Sequence, residues 1–116
     1  MFNVIVIGGE DSGNYEYFRS KMIYYLKNKA KSGEGITIFT TGDDFVDSFA
    51  KRYGIDVKFF VTNWKDYGKD ALKHRNEEMI KNANAIIFFQ NNKKDFQILY
   101  DLAVKHNIVG RIVNIQ

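Results

Sequence analysis

The side chains best suited to chemistry surround one glycine in the stretch WKDYGKDALKHRNEEM, residues 64–79. Its rings can stack on a flat ligand, and its lysines and arginine can hold a phosphate or a carboxylate. With the preceding asparagine, the candidates for such a site are Asn63, Trp64, Tyr67, Lys69, His74, Arg75 and Asn76. The alternative is a loop that packs against its own domain, and the residue types alone leave both interpretations open.

A second candidate is the glycine-rich turn GGEDSGN, residues 8–14. Gly8 and Gly9 allow the backbone to turn closely, so that N–H groups entering the next helix can face a phosphate. Glu10 and Asp11 place negative charge where an anion would lie, and the stretch matches neither GxGxxG nor a P-loop. The ordinary interpretation is a tight turn in which a polar residue caps the following helix: Asp11, Ser12 or Asn14.

The third candidate, TTGDDFVD at residues 40–47, carries acidic side chains at the start of a predicted helix. Thr41 ends a strand, and Gly42 allows a ligand to approach the backbone. Asp43 and Asp47 lie about one helical turn apart, so their carboxylates can face the same side and bind ribose hydroxyls, a metal ion or a proton in transfer. Alternatively, Asp43 or its neighbour caps the helix, and these acids only complement its dipole.

A fourth loop, QNNKKD at residues 90–95, offers Lys94 as a further cation and is equally consistent with a solvated turn. The chain contains no cysteine, which excludes disulfides, thiolate zinc sites and cysteine nucleophiles. With only His74 and His106, a histidine metal site is not expected, and no Ser-His-Asp grouping follows from the spacing. The sequence therefore predicts neither a metal nor a cofactor.

The elements that must position these loops are five apolar runs alternating with four amphipathic segments. The runs are β-branched or aromatic, and most lack polar alternation, as in strands covered on both faces: 2–8, 35–41, 56–62, 84–90 and 110–116. The amphipathic segments have helical spacing: 14–31, 43–54, about 70–83 and about 94–107. The predicted fold is one three-layer α/β domain of Rossmann-like type, with a five-stranded, mostly parallel sheet flanked by helices on both faces. Ligands of such sheets bind beyond the carboxyl ends of the strands, where all four loops fall.

Length and composition limit the classes of function. The 116 residues suit one domain, and a hydrophobic fraction of 45% supplies a core. No apolar run approaches the roughly 20 residues of a membrane span, and no signal peptide follows Met1, so the expected location is the cytoplasm of a cell or of an infected cell. The net charge of +3, from 17 basic and 14 acidic residues, lacks the clustered excess of a dedicated nucleic-acid-binding domain. Neither a membrane nor nucleic acid is therefore an expected partner.

Taken in order, these loops resemble the small SLOG domains, the superfamily of the DNA-processing protein DprA and the LOG cytokinin-activating enzymes, in particular its YspA-like branch. The matching stretches span almost the whole chain: GGED (8–11), GDDFVD (42–47), TNWKDYGKDALKHRNEEM (62–79) and IIFFQNNKKDF (86–96). The third is the most specific, because six residues fit the family pattern together: Trp64, Gly68, Ala71, Arg75, Asn76 and Met79. The resemblance implies a pocket for a nucleotide or nucleotide-derived ligand, lined by Gly8, Gly9, Gly42, Asp47, Trp64, Arg75 and Asn76.

The chain departs from that family at its charged positions. Glu10 stands where the family prefers arginine, Asp44 replaces a second arginine, and Phe45 replaces a glycine. The glycine–threonine turn after the fourth strand has become Asn-Asn-Lys-Lys-Asp, and the PGGxGTxxE signature of the LOG enzymes is absent. Two lost arginines and two gained carboxylates weaken anion binding in half of the implied pocket. The leading hypothesis is therefore capture of a nucleotide-derived molecule without turnover, for sensing or sequestration.

Other hypotheses stay open at this point. A nucleosidase or phosphoribohydrolase that cleaves an N-glycosidic bond would use Asp47, or Glu77 and Glu78, as its carboxylates. A protein-interaction module would keep the fold with a decayed pocket, and a single-stranded nucleic acid binder would show strong salt dependence. A homodimer is expected because relatives pair through helices, although the surplus rings of the first helix can equally pack within the monomer: Tyr15, Tyr17, Tyr24 and Tyr25.

Overall fold

The computed structural model describes residues 1–89 and 94–113 of the chain, and for residues 94–96 it describes the backbone alone. Most of the fourth candidate loop therefore lies outside the described residues, as do positions 114–116 of the predicted last strand. Within the described ranges, strands and helices alternate as the sequence predicts.

The strands are β1 (Phe2–Ile7), β2 (Ile36–Thr40), β3 (Asp56–Phe59), β4 (Ala85–Phe89) and β5 (Val109–Val113). The helices are α1 (Tyr15–Lys31), α2 (Asp44–Tyr53), α3 (Trp64–Tyr67), α4 (Ala71–Lys81) and α5 (Lys94–Lys105). Single 3-10 turns precede α1 and α4, at Glu10–Ser12 and Gly68–Asp70. The sequence predicts only a connection over residues 62–70. That prediction is wrong for Trp64–Tyr67, which form helix α3.

The described strands form one parallel sheet in the order β3-β2-β1-β4-β5. The chain thus builds outward from β1, first toward β3 and then, after one long crossover, toward β5. This is the strand order of doubly wound dinucleotide-binding folds. The predicted Rossmann-like sheet is confirmed, and its described part is wholly rather than mostly parallel.

Apolar side chains form a separate core on each face of the sheet, because successive residues of a strand point to opposite faces. The first core joins β1 to α1 and α2: Val4, Val6, Phe18, Met22, Val46 and Phe49. The second joins β1 to α4 and α5: Ile5, Met79, Ile80, Leu99 and Ala103. The predicted three layers, with helices on both faces, are present.

Helix α1 begins after Asn14, whose side-chain oxygen accepts a hydrogen bond from the Tyr17 N–H at 3.1 Å. Most of the tyrosines of this helix pack within the domain. Tyr15, Tyr17 and Tyr25 pack partly buried against the first core, whereas Tyr24 is 60% exposed.

None of the described helices combines the length and the apolarity that a membrane crossing requires.

Strand β3 differs from the other strands because all four of its residues are exposed. Its apolar composition predicts a strand covered on both faces, and that expectation is wrong for β3. The strand lies at the edge of the sheet beside β2. Its residues Val57 and Phe59 are 38% and 56% exposed, and Val61, which follows it, is 66% exposed.

Candidate functional site

The carboxyl ends of β1 and β4 mark the point where the chain switches from one side of the sheet to the other. Ligands of doubly wound sheets bind in the crevice at this switch point. Gly8, directly after β1, has φ +77°, and a Cβ placed there would lie 2.5 Å from the carbonyl oxygen of Phe89. Glycine is therefore required at position 8 both by the backbone conformation and by the close approach of β4.

Two carboxylates join the first loop to the second. The Glu10 N–H donates to Asp43 Oδ2 at 3.2 Å, and the Asp44 N–H donates in return to Glu10 Oε1. We call this reciprocal pair of hydrogen bonds the Glu10–Asp43 clip. Gly9 is part of its packing, since a Cβ at that position would lie 2.6 Å from Asp43 Oδ2.

Asp43 also caps helix α2. Its Oδ1 accepts hydrogen bonds from the N–H groups of Phe45 at 3.0 Å and Val46 at 3.4 Å. The side chain is buried, and this burial raises the pKa of Asp43 above its ordinary value of 3.8, although the backbone N–H groups of Val46, Glu10 and Phe45 favour the charged form. The first N–H groups of α2 are thus satisfied by the protein's own carboxylates, and a phosphate there would have to displace them.

The other candidates of the first two loops do not gather around Asp43. Asp47 is exposed one turn into α2, while Asp43 is buried, so the two carboxylates do not share an environment. Asp11 is exposed, and its N–H donates to the Gly8 carbonyl at 3.1 Å. Thr41 is half-buried beside Gly42, whose φ is +119°. The hydrogen bonds of Asp43 confirm that it caps α2.

The third loop presents its aromatic rings on a short folded platform. Asn63 caps α3 by accepting the Asp66 N–H at 3.1 Å and by donating from Nδ2 to Asp66 Oδ2 at 2.9 Å. Trp64 and Tyr67 on this helix are 55% and 43% exposed. The Tyr67 ring stacks on the imidazole of His74 with centroids 3.8 Å apart and planes 18° from parallel.

Arg75 of helix α4 connects this helix to the segment between β3 and α3. One guanidinium nitrogen donates to Thr62 Oγ1 at 3.0 Å and another to Asn76 Oδ1 at 3.1 Å. Asn76 is buried, and Thr62 follows directly after β3 and its exposed extension. The two neutral acceptors fix the plane of the guanidinium group at the carboxyl end of the sheet.

A groove of about 540 Å³ lies between α4 and α5. It brings together three of the predicted site residues, Lys69, Arg75 and Asn76. The sequence did not single out the apolar residues that line this groove, Leu72, Ile98 and Leu102. It also did not single out two further cations of the groove, Lys73 and Lys105. The lysines looked like a solvated helix face, and only the packing of α5 beside α4 places Ile98 and Leu102 in this groove.

A metal centre does not emerge from the part of the chain described, in which no three His, Asp or Glu side chains are grouped as ligands. The side chain of Lys94, another predicted site residue, lies outside the described atoms, as do residues 90–93.

The site thus divides into an acidic half, closed by the Glu10–Asp43 clip, and an exposed half, in which Trp64 and Tyr67 are exposed and Arg75 is half-buried. Comparison of the chain with protein-family models, with curated proteins and with solved structures found no match. The resemblance to the YspA-like SLOG domains therefore stays a prediction from the sequence motifs.

Proposed function

We propose that the domain binds a nucleotide or a nucleotide-derived small molecule at the exposed half of the site, without turnover. The observation that carries this proposal is the position of Arg75, which Thr62 and Asn76 orient at the end of the sheet where the exposed Trp64 and Tyr67 follow β3. In doubly wound sheets this end is where ligands bind. The sequence resemblance supports the same residues.

Each part of such a ligand has a matching group. A base can stack on the exposed indole of Trp64, since aromatic faces accept any base. A phosphate or carboxylate can bind the guanidinium group of Arg75, whose two terminal nitrogens also donate to Thr62 and Asn76. Lys69 and Lys73 of the neighbouring groove are additional cations. The α4–α5 groove is within the usual size range of small-molecule sites.

Three carboxylates, Glu10, Asp43 and Glu78, already have partners within the chain, which favours binding without turnover. Cleavage of an N-glycosidic bond needs an available carboxylate beside the reacting carbon. The Glu10 and Asp43 carboxylates accept backbone N–H groups in the clip, and Glu78 pairs with Lys81 at 3.1 Å. Glu77, which lines the groove, is the carboxylate that a hydrolase at this site would use.

The first test is a thermal-shift screen of the purified chain against nucleotides, ADP-ribose derivatives and cyclic dinucleotides, with Trp64 fluorescence measured in parallel. A ligand at a hundredfold excess over its dissociation constant adds about 2.7 kcal/mol of stability, which a melting curve resolves. We expect the bound ligand to quench Trp64, the only tryptophan of the chain. No shift with any member of the panel would contradict the proposal.

The Arg75→Ala variant tests the site itself. We expect it to lose the ligand with little loss of folding, while Arg52→Ala, an exposed arginine of α2 on the other face of the sheet, binds normally. Arg75→Lys keeps the charge and loses the fork, so its affinity should lie between the two. If Arg75→Ala instead unfolds the domain, and its folded fraction binds with unchanged affinity, the assignment is wrong.

Product analysis separates binding from catalysis. Each ligand found is incubated with the protein, and free base is measured by chromatography. We expect the ligand to be recovered intact. Release of base that Glu77→Gln or Asp47→Asn abolishes would replace the binding proposal with a hydrolase.

A further inference from the structure

The outer edge of β3 has backbone groups oriented away from its sheet. Among the described strands, β3 pairs with β2 alone. The Phe60 N–H donates to the Thr40 carbonyl at 2.8 Å, and alternate residues of a parallel ladder direct both backbone groups to the same neighbour. Lys58 and Phe60 therefore face β2, whereas Val57 and Phe59 direct their N–H and C=O groups outward. The same alternation, extended past the end of β3, would place Val61 with Val57 and Phe59.

The same residues carry exposed apolar side chains on one face. Val57, Phe59 and Val61 are 38%, 56% and 66% exposed, and their exposed fractions rise along the strand. Edge strands of soluble proteins are usually blunted by charges, bulges or a covering segment. Here the side chain of Lys58 is on the opposite face, with its ammonium 5.0 Å from the centroid of the Phe60 ring. The edge with exposed valine and phenylalanine is suited to pairing with another strand.

We propose that β3 pairs antiparallel with β3 of a second copy of this chain, which joins the two sheets into one of ten strands. A two-fold interface must be complementary to itself. The sequence VKFFV, residues 57–61, meets this requirement because reversing it about Phe59 places valine opposite valine and phenylalanine opposite phenylalanine. Lys58 then lies opposite Phe60 of the partner subunit, which suits a cation and a ring.

The opposite edge of the sheet shows why β3 is the pairing strand. Reversing VGRIV, residues 109–113, about its centre would place Arg111 opposite Arg111. Like charges directly opposite each other destabilise an antiparallel pair. Of these two central registers, the one at Phe59 alone places no like charges opposite each other.

One competing register is excluded by a hydrogen bond within the chain. A two-fold axis at Val57 would place Asp56 opposite Lys58 and requires the Ile55 N–H to face the partner. That N–H donates to the Ala50 carbonyl at 2.9 Å, at the end of α2. The axis at Phe59 uses only residues 57–61 and leaves this hydrogen bond intact. Because the paired segment is short, we expect a reversible dimer with an affinity on the order of micromolar rather than an obligate dimer.

The chain has no cysteine, so single cysteines can report the register. Residues directly opposite each other in an antiparallel pair have Cα atoms about 4.5–5.5 Å apart, which a disulfide can span. We expect Phe59→Cys to form a covalent dimer on mild oxidation. Val57→Cys alone should form no covalent dimer, but it should form a disulfide with Val61→Cys when the two variants are mixed. Ser48→Cys, exposed on α2, gives the background rate.

Other cross-linking patterns would overturn the proposal. Cross-linking of Val57→Cys alone, without Phe59→Cys, would overturn the axis at Phe59. If no β3 variant cross-links faster than Ser48→Cys, β3 does not pair with a second copy. A variant that fails to fold, detected by circular dichroism, is replaced by the mixed pair of Val57→Cys and Val61→Cys, which leaves Phe59 in place.

The natural sequence gives an independent measurement. Sedimentation from about 1 µM to about 1 mM should show the mean mass rise with concentration toward twice that of the monomer. Phe59→Lys places like charges at the axis and should remain monomeric over that range, whereas Val104→Lys, which changes a similarly exposed residue of α5, should dimerise normally. A natural chain that stays monomeric throughout, or a dimer that survives Phe59→Lys, would refute pairing through β3.

Discussion

Glu10 and Asp43 show how carboxylates that disfavour an anion can serve the fold instead. A buried carboxylate is costly unless hydrogen bonds replace its water, and Asp43 accepts three from backbone N–H groups. Glu10 completes the Glu10–Asp43 clip by accepting the Asp44 N–H. Glu10 and Asp43 therefore connect the first loop to helix α2.

Titration of Asp43 should appear in the pH dependence of stability. Burial raises the pKa of Asp43 in the folded state above 3.8. At pH values between 3.8 and this raised pKa, the folded protein therefore holds a proton that the unfolded chain has released. The contribution of Asp43 to the free energy of unfolding therefore falls as pH rises from about 4 through the raised pKa. Asp43→Asn keeps a good N-cap, loses the bond from the Glu10 N–H, and does not titrate.

The measurement is urea denaturation of the natural chain and of Asp43→Asn at matched pH values. The natural chain should be the more stable by about 0.5–1.5 kcal/mol where Asp43 is ionised, and by more at acidic pH. The comparison with Asp43→Asn largely cancels the titration of all other groups. A natural chain that instead gains stability over the variant as pH rises through this window would contradict the raised pKa.

Local spacing predicts some residue roles and not others. Capping by Asn14 and Asp43 follows from residue type next to an amphipathic run, and the structure confirms both caps. The bond from the Asp44 N–H to Glu10 joins residues 34 positions apart. No short-range pattern encodes such a contact, because it depends on β1 and β2 lying side by side.

Helix α3 shows a similar limit at the scale of an element. Its four residues are too few for apolar periodicity to be visible, and an isolated helix of that length is not stable in water. The hydrogen bonds between Asn63 and Asp66 stabilise this short helix. Sequence motifs could therefore single out Trp64 and Tyr67, while the helix that positions them could not be predicted.

Loss of the Asn63 cap should loosen α3 without unfolding the sheet. Asn63→Ala removes both hydrogen bonds to Asp66, and a lost N-cap costs about 0.5–2 kcal/mol of local stability. We expect lower fluorescence anisotropy of Trp64 and faster quenching by acrylamide, with a small change in the global unfolding midpoint. Asn28→Ala, an exposed asparagine of α1, is the control. Unchanged Trp64 mobility would show that α3 does not depend on its cap.

Apolar runs predict strands but not their place in a sheet. The runs of β1 and β3 look alike, yet β1 is central with three fully buried residues, whereas β3 is an exposed edge. The position of a strand depends on which other strands flank it, and no window of a few residues contains that information.

At the scale of the whole molecule, two cores share one sheet. The first core is closed by α1 and α2, and the second by α4 and α5. Because β1 and β4 contribute side chains to both, we expect the chain to unfold as one domain, in a single cooperative transition.

Two methionines test that expectation as a matched pair. Met22 and Met79 are fully buried on opposite faces of the sheet, and each replacement by alanine should cost about 2–5 kcal/mol. Either variant should shift the urea midpoints seen by circular dichroism and by Trp64 fluorescence together. If Met22→Ala left the Trp64 transition in place while the circular dichroism moved, the two faces would be unfolding independently.

The central position of β1 also bears on how the chain folds while it is being synthesised. Val4 pairs with Ile38 on one side and with Ala85 on the other, so β1 needs β4, which is synthesised after β2 and β3. At about 5–20 residues per second, the ribosome takes roughly two to ten seconds to pass from the end of β2 to the end of β4. During that time the nascent sheet has β1 as an open edge, and this interval is when protection by a chaperone would matter most.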